Sequence, residues 1–484
     1  MTDAPESSPD AAPSPSEGET VGGPVSDRVP GSKADPDKTA APVPESQGDR
    51  RAIISWCLFD FANSAFPTLI VTFVFSAYFT ETVAPNKIVG TQLWTQSVSL
   101  CAIFIALLSP IMGAIADRGG YRKLLLGVMS AIAIVCAAGL FFVKPGEPTD
   151  AELSLFEALS TGDVLLGLFL FVIGNTAFEV SSVFYNAFLP DIAPPSKIGR
   201  ISGYGWGLGY IGGLLAMVIS LVLIMNADSL GITTDKAFHV RLTNLIVATW
   251  YFVFSIPIFL YVKEDTSQVV KEEGSIIAAA FRQFFTTFKE IRGYREIMIF
   301  LLARLLYNDG LVTIFNLGAV FAAGVHGFST NELLLFGVVL NITAAAGAFG
   351  LGFLDDKLGG KTTILLSIVA LGVFSVAAVL ASEKWMMWVA GAFVGVFSGP
   401  NQSASRSLMG RLVPPDKENE FFGFFAFSGK ATAFLGPFLV GTLTAVFESQ
   451  RAGMAIVVLF FIAGGALLTL VDEEAGIKRA GRPG

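Results

Sequence analysis

Twelve apolar runs of about twenty residues, separated mostly by short polar loops, constrain this chain more than any other feature. As an α-helix, such a run is about 30 Å long, the thickness of a bilayer's hydrocarbon core. Lipid offers the backbone no hydrogen-bond partners, so runs of this kind read as membrane-spanning helices. They fall at 53–79, 92–116, 124–143, 164–188, 202–225, 243–262, 297–323, 333–354, 362–381, 386–409, 421–446 and 453–471. Composition agrees: 53% of the 484 residues are hydrophobic, 43 are Phe and 15% are charged. Soluble domains carry about a quarter charged residues. The expected class is an all-α integral membrane protein.

Lys and Arg set the orientation. With the N-terminus inside, the inner segments hold 20 of them, leaving out the far N-terminal tail, and the outer loops 6. Both termini are therefore expected in the cytoplasm. Residues 1–50, rich in Pro, Ala, Ser, Gly and acids, read as a disordered cytoplasmic tail. No apolar core follows a basic start there, so the stretch is not read as a secretory signal. In the central segment, 263–296, Ile277, Phe281, Phe284, Phe285, Phe288 and Ile291 recur at helical spacing, with Arg282, Lys289, Arg292 and Arg295 on the other face or the flanks. That pattern predicts an amphipathic helix on the inner leaflet. Residues 474–484 read as a short cytoplasmic tail.

Several function classes are disfavoured. Cys57, Cys101 and Cys136 all lie in apolar runs and read as buried small hydrophobes. His239 and His326 are far apart, so neither a metal cluster nor a cofactor is expected. The net charge of −8 sits largely in tails and outer loops and suggests no nucleic-acid partner. A phosphate-binding loop of the ATPase type is missing, as is a nucleophile–base constellation, which argues against a pump or an enzyme.

The chain repeats itself. "GAIADRGGYRK" (113–123) follows the second run and "GFLDDKLGGKT" (352–362) the eighth, matching Gly113 to Gly352, Asp117 to Asp356 and Arg118 to Lys357. "PPSKIGRISGYGWGLG" (194–209) enters the fifth run and "PPDKENEFFGFFAFSG" (414–429) the eleventh. Asn63–Ser64 of the first run has a counterpart in Asn308–Asp309 of the seventh. Two pseudo-symmetric six-helix bundles, 51–262 and 297–473, follow, with a site expected at their interface near the midplane.

The loop "GAIADRGGYRK" and its second copy resemble the signature loop of the major facilitator superfamily. "DFANSAFPTLI" (60–70), "FYNAFLPDIAPP" (184–195), "GRISGYGWGLGYIGGLLA" (199–216), "LARLLYNDG" (302–310), "NQSASRSLMGRLVPP" (401–415) and "GKATAFLGPFLVG" (429–441) resemble the vacuole-effluxer, autophagy-related protein 22-like branch. This resemblance covers about residues 51–471. It implies the twelve-helix rocker-switch fold and secondary transport by alternating access. Eukaryotic relatives are associated with amino-acid efflux from vacuoles. A bacterial plasma membrane is the more expected location here, and the chain is expected to work as a monomer.

Polar residues inside the spans are the candidate site, because they face protein or a water-filled cavity. In the fourth span Asn175, Glu179, Ser182 and Asn186 keep within about 60° of one face. Glu179 is expected to contact substrate or carry a proton. The first span offers Asp60, Asn63 and Ser64, with Pro67 expected to kink it. Asp60 reads either as a gating acid or as half of a fixed buried ion pair, with Arg304 as a candidate partner. In the seventh span Arg304 shares a face with Asn308, while Asp309 points about 140° from Arg304. The tenth span adds Gln402 and Arg406, the latter either an interfacial anchor or a binder of carboxylate. Lys430, in the eleventh, needs an acid or an anionic substrate. Gly205, Gly209, Gly212 and Gly213 predict close helix packing in the fifth.

At the inner face, Gly113, Asp117, Arg118, Arg122, Lys123, Asp356 and Lys357 are expected to form a gate between the halves, not a substrate site. The expected substrate is a small polar solute, an amino acid above others, with proton coupling through an intramembrane acid. A non-transporting receptor or scaffold on the same fold is the competing reading. It predicts eroded gating motifs or an added soluble domain, and neither is present.

Overall fold

A computed structural model describes residues 49–149, 155–264, 282, 286 and 291–482. The expected N-terminal tail and central amphipathic helix fall almost entirely outside the described residues. The described chain is helical throughout. Eleven helices are long and apolar enough to cross a membrane, from Arg50–Val83 to Gln450–Thr469. They correspond to spans one to nine, eleven and twelve of the sequence reading. Span ten, Lys384–Leu412, is a 29-residue helix of sufficient length. Its Ser398-Gly399-Pro400-Asn401-Gln402-Ser403 stretch makes it too polar to qualify by composition.

Two buried apolar clusters organise the molecule. One runs from Ala52 to Val262. The other runs from Ile297 to Val471 and also takes in Val183 and Ala187 of span four (Val164–Ile192). Large apolar side chains such as Leu107, Phe169, Val369 and Phe438 point outward, as a lipid-facing surface requires.

Small residues let the spans approach closely. Span five (Pro195–Met225) lays its glycines on span one (Arg50–Val83). A Cβ on Gly209 would sit 2.8 Å from the Ser64 hydroxyl, and one on Gly212 would strike the Phe61 carbonyl. This is the tight packing the glycine spacing predicts. The seam between the halves uses the same device twice. Gly203 of span five faces the Ala348 carbonyl of span eight (Thr330–Leu358), and Gly423 of span eleven (Pro415–Phe447) faces the Ser109 carbonyl of span two (Lys87–Gly119). In each case a Cβ added to the glycine would stand 2.5 Å from the carbonyl oxygen.

Two spans depart from regular helix, each for a local reason. Pro67 has no N–H, and the ladder of span one widens into a π-helical stretch, Pro67–Phe73, closed by Val74 N–H donating to Leu69 O at 2.9 Å. The expected kink at Pro67 is thus a widening. Span eleven stops at Lys430 and resumes at Leu435 after a turn in which Ala433 N–H donates to Lys430 O at 3.2 Å and Leu435 N–H to Thr432 O at 2.7 Å.

The C-terminal tail expected at 474–484 contains a short helix, Glu473–Arg479, docked on the second half. The Glu473 carboxylate accepts the Gly360 and Lys361 N–H groups at 3.0 and 2.9 Å.

Candidate functional site

At the end of the bundle that carries the two repeated loops, each loop of one half caps a helix of the other. Asp117, closing span two, accepts Asn419 N–H at 3.0 Å, Asn419 Nδ2 at 2.6 Å and Glu420 N–H at 2.8 Å. Those groups form the N-terminus of span eleven. Asp356, closing span eight, accepts Gly199 N–H at 2.8 Å, Arg200 N–H at 3.3 Å and the Arg200 guanidinium. Those belong to the N-terminus of span five. The first backbone donors of a helix have no partner within it, and its dipole favours an anion there. Both aspartates therefore act as caps supplied from the opposite half.

Arg122 reinforces one side. Its Nη1 donates to Asp191 at 2.6 Å and to Ala187 O at 3.0 Å within its half, and its Nη2 to Glu418 of the other half at 2.6 Å. Glu418 is 1% exposed and also pairs with Arg482, near the end of the chain. Lys123 stays within its own half, donating to Val262 O at 2.7 Å. Lys357 is exposed and Arg118 half-buried. The expected gate thus joins the halves through Asp117, Arg122 and Asp356, with Gly113 letting the Asn419 carbonyl approach.

Deeper in the seam, Arg406 of span ten enters the first half. Nη1 donates to Asp60 Oδ2 at 2.8 Å and Asn186 Oδ1 at 3.3 Å, Nε to Ser202 Oγ at 2.9 Å, and Nη2 to Ser202 O at 2.7 Å. Its Cζ lies 4.6 Å from the Trp56 ring centre. Gly205 leaves room for the pair, since a Cβ there would sit 2.7 Å from Asp60 Oδ2 and 2.8 Å from Arg406 Nη2. The partner of Asp60 is therefore Arg406, not Arg304. Arg406 is 2% exposed, which corrects the reading of it as an interfacial anchor. Asn63, on the same span as Asp60, is buried at 5% exposure.

Further along, Glu179 of span four and Lys430 of span eleven form a second pair across the halves, 2.6 Å apart, with side chains 21% and 35% exposed. Asn186 and Glu179 thus bring the polar stripe of span four to the other half, while Ser182 bonds its own helix. Asn175, on the same stripe, is buried. Arg304 of span seven (Arg295–His326) donates to Phe425 O at 2.8 Å and Ser428 Oγ at 2.9 Å, and its Cζ lies 3.6 Å from the Phe425 ring centre. Gln402 Nε2 donates to Asn308 Oδ1 at 3.2 Å, and Asn308 Nδ2 to Gly429 O at 3.2 Å. Asp309 is buried at 2% exposure.

The sequence pattern of the family described as "Vacuole effluxer Atg22 like" matches residues 48–481, nearly the whole described chain. The chain belongs to this family. Among relatives, an uncharacterised MFS-type transporter, YxiO, of Bacillus subtilis is 29% identical over 423 residues, covering 87% of this chain and 94% of that protein. Autophagy-related protein 22 of Yarrowia lipolytica is 25% identical, covering 80% of this chain and 76% of its own length. Of solved structures, the proton:xylose symporter XylE superposes with TM-score 0.66 at 12% identity, covering 87% of this chain and 95% of that chain. FucP in the outward conformation gives 0.65 at 13%, covering 87% and 100%. These superpositions establish the major facilitator fold. This vacuole-effluxer-like protein is a membrane transporter of the secondary class.

Sequence reading misses several members of this contact between the halves: Asp191, Glu418, Asn419, Arg200 and Arg482. The signal is present in the chain. Both motifs are recognisable as copies, and the structure shows that each first-type motif binds the second-type motif of the other copy.

Proposed function

We propose that the protein moves a zwitterionic solute of amino-acid size by alternating access, with protons as a coupling ion at Glu179. The Glu179–Lys430 pair carries this reading. It joins an acid on one half to a base on the other, and both side chains are partly open. An amino acid entering here exchanges one ion pair for two. Its ammonium takes Glu179 and its carboxylate takes Lys430, so no charge is left alone in the membrane. Arg304, Asn308 and Gln402 supply further polar groups beside it. The family's description as vacuole-effluxer-like agrees with efflux of such a solute.

In this reading the gated end is cytoplasmic, following the Lys and Arg bias, and the structure is the state closed on that side. Opening requires the Asp117, Asp356, Arg122 and Asp60–Arg406 contacts to part together. The transporter is placed in a plasma membrane as a monomer.

The test is uptake by proteoliposomes of a panel of amino acids, sugars and drugs, with and without a pH gradient. Saturable amino-acid flux that the gradient drives, and that Glu179→Gln reduces at least tenfold, is expected. Flux of sugars or drugs alone, or a Glu179→Gln variant equal to wild type, refutes the assignment.

A further inference from the structure

Asp309 stands apart from every ion pair described above. It is 2% exposed, and its Oδ2 is enclosed with no hydrogen-bond partner. One turn further along span seven, Thr313 is 0% exposed and its Oγ1 also lacks a partner. Residues four apart share a helix face. Opposite that face, span eleven is interrupted between Lys430 and Leu435. Thr432, inside the interruption, faces the Asp309 carboxylate. The Thr313 hydroxyl lies against Gly436, where no side chain intervenes, and the Asp309 carbonyl oxygen is 3.5 Å from the position a Cβ would take there.

Among the described residues, no fixed cation answers this carboxylate. The helices Leu435–Phe447 and Ile456–Thr469, which pack on span seven, contain no charged residue. Arg304 is committed to Phe425 and Ser428, Lys430 to Glu179, and Arg451 to the Val379 carbonyl. A buried carboxylate left alone in a membrane is unfavourable by several kcal/mol, so a mobile cation must neutralise it. A proton would need the carboxylate only. Here a second oxygen with free lone pairs lies one turn away, and a second hydroxyl, that of Thr432, faces the acid. In the turn of span eleven the Lys430 and Thr432 carbonyls accept the Ala433 and Leu435 N–H groups, while Pro437, which has no N–H, leaves the Ala433 carbonyl without its helical donor. Interrupted membrane helices hold sodium in this manner, through carbonyl groups released from the ladder. All the donors are oxygen, which suits a hard cation, and a single carboxylate balances a single charge.

We propose that Asp309, Thr313 and the turn that interrupts span eleven form a binding site for sodium. The ion ties span seven to the turn that begins directly after Lys430, so its binding sets the position of Lys430 towards Glu179. That coupling role rests on the transport reading and adds sodium to the proton at Glu179; the site itself does not depend on it.

The test is thermal unfolding of the purified full chain in detergent, with sodium chloride exchanged for choline chloride at constant ionic strength and pH. A melting temperature that rises saturably by several degrees with sodium is expected, because a ligand of the folded state stabilises it by mass action. The rise is expected to vanish in Asp309→Asn and in the near-isosteric Thr313→Val. Equal melting temperatures of the wild type in sodium and choline overturn the site, as does a wild type that answers to pH alone. A sodium response that survives Asp309→Asn also overturns it. Since the wild type by itself gives the first readout, poor folding of a variant does not blunt the test. Sodium stabilisation without amino-acid flux would refute the substrate reading alone. Amino-acid flux without sodium stabilisation would refute the cation site alone.

Discussion

Replacing Arg406 by Gln removes the cation that Asp60 faces across the seam and the hydrogen bonds to Asn186 and Ser202 that come with it. In the closed state Asp60, with a side chain 14% exposed, is left without a positive partner. Breaking one side of a buried ion pair costs about 3–5 kcal/mol. The cost falls on the closed state, because parting the halves at this end gives Asp60 water. At about 1.4 kcal/mol per tenfold, the equilibrium shifts by roughly two to three and a half orders of magnitude towards the state open at the loop-motif end. Ser403→Cys is a near-isosteric reporter: Ser403 is 1% exposed, and its carbonyl accepts the Ser202 hydroxyl across the seam at 2.7 Å. Maleimide labelling at this position in membranes should quicken at least tenfold in Arg406→Gln. The double variant Asp60→Asn with Arg406→Gln should label more slowly than Arg406→Gln alone, since no uncompensated charge remains. A wild-type rate in Arg406→Gln, or a double variant faster than the single, would refute the view that this pair holds the halves together.

Asp117→Asn and Asp356→Asn each weaken a cap on a helix of the opposite half; each should raise the same labelling rate about tenfold, from roughly 1–2 kcal/mol of lost charge-assisted bonding, and together the effects should multiply. Gly423→Ala places a methyl 2.5 Å from the Ser109 carbonyl and should prop the seam open and slow uptake, whereas Gly337→Ala, with nothing within 4 Å, should leave uptake near wild type. Arg482→Ala removes one of the two guanidinium groups on Glu418, so the reporter should label faster than wild type but more slowly than in Arg122→Gln, which removes the bond between the halves itself.

The spans are legible in the sequence because a bilayer leaves a backbone few options. Eleven helices meet the expectation by length and apolarity, and span ten falls short only where its Ser, Asn and Gln residues turn towards the protein. The glycine face of span five is equally legible, since spacing alone decides which residues line one side of a helix. The polar stripe of span four is found for the same reason, and Glu179 and Asn186 on it reach the other half.

Pairing is not legible. The sequence shows that Asp60 needs a cation, since an acid in a span is costly alone. It does not show that Arg406, 346 residues away, supplies it while the nearer-seeming Arg304 bonds a carbonyl and a hydroxyl. Repeats show which motifs are equivalent, not that Asp117 and Asp356 each cap a helix of the other copy. Periodicity is a property of one helix, fixed by bonds four residues apart. Partnership between helices depends on how two halves are packed, and only the tertiary structure decides that.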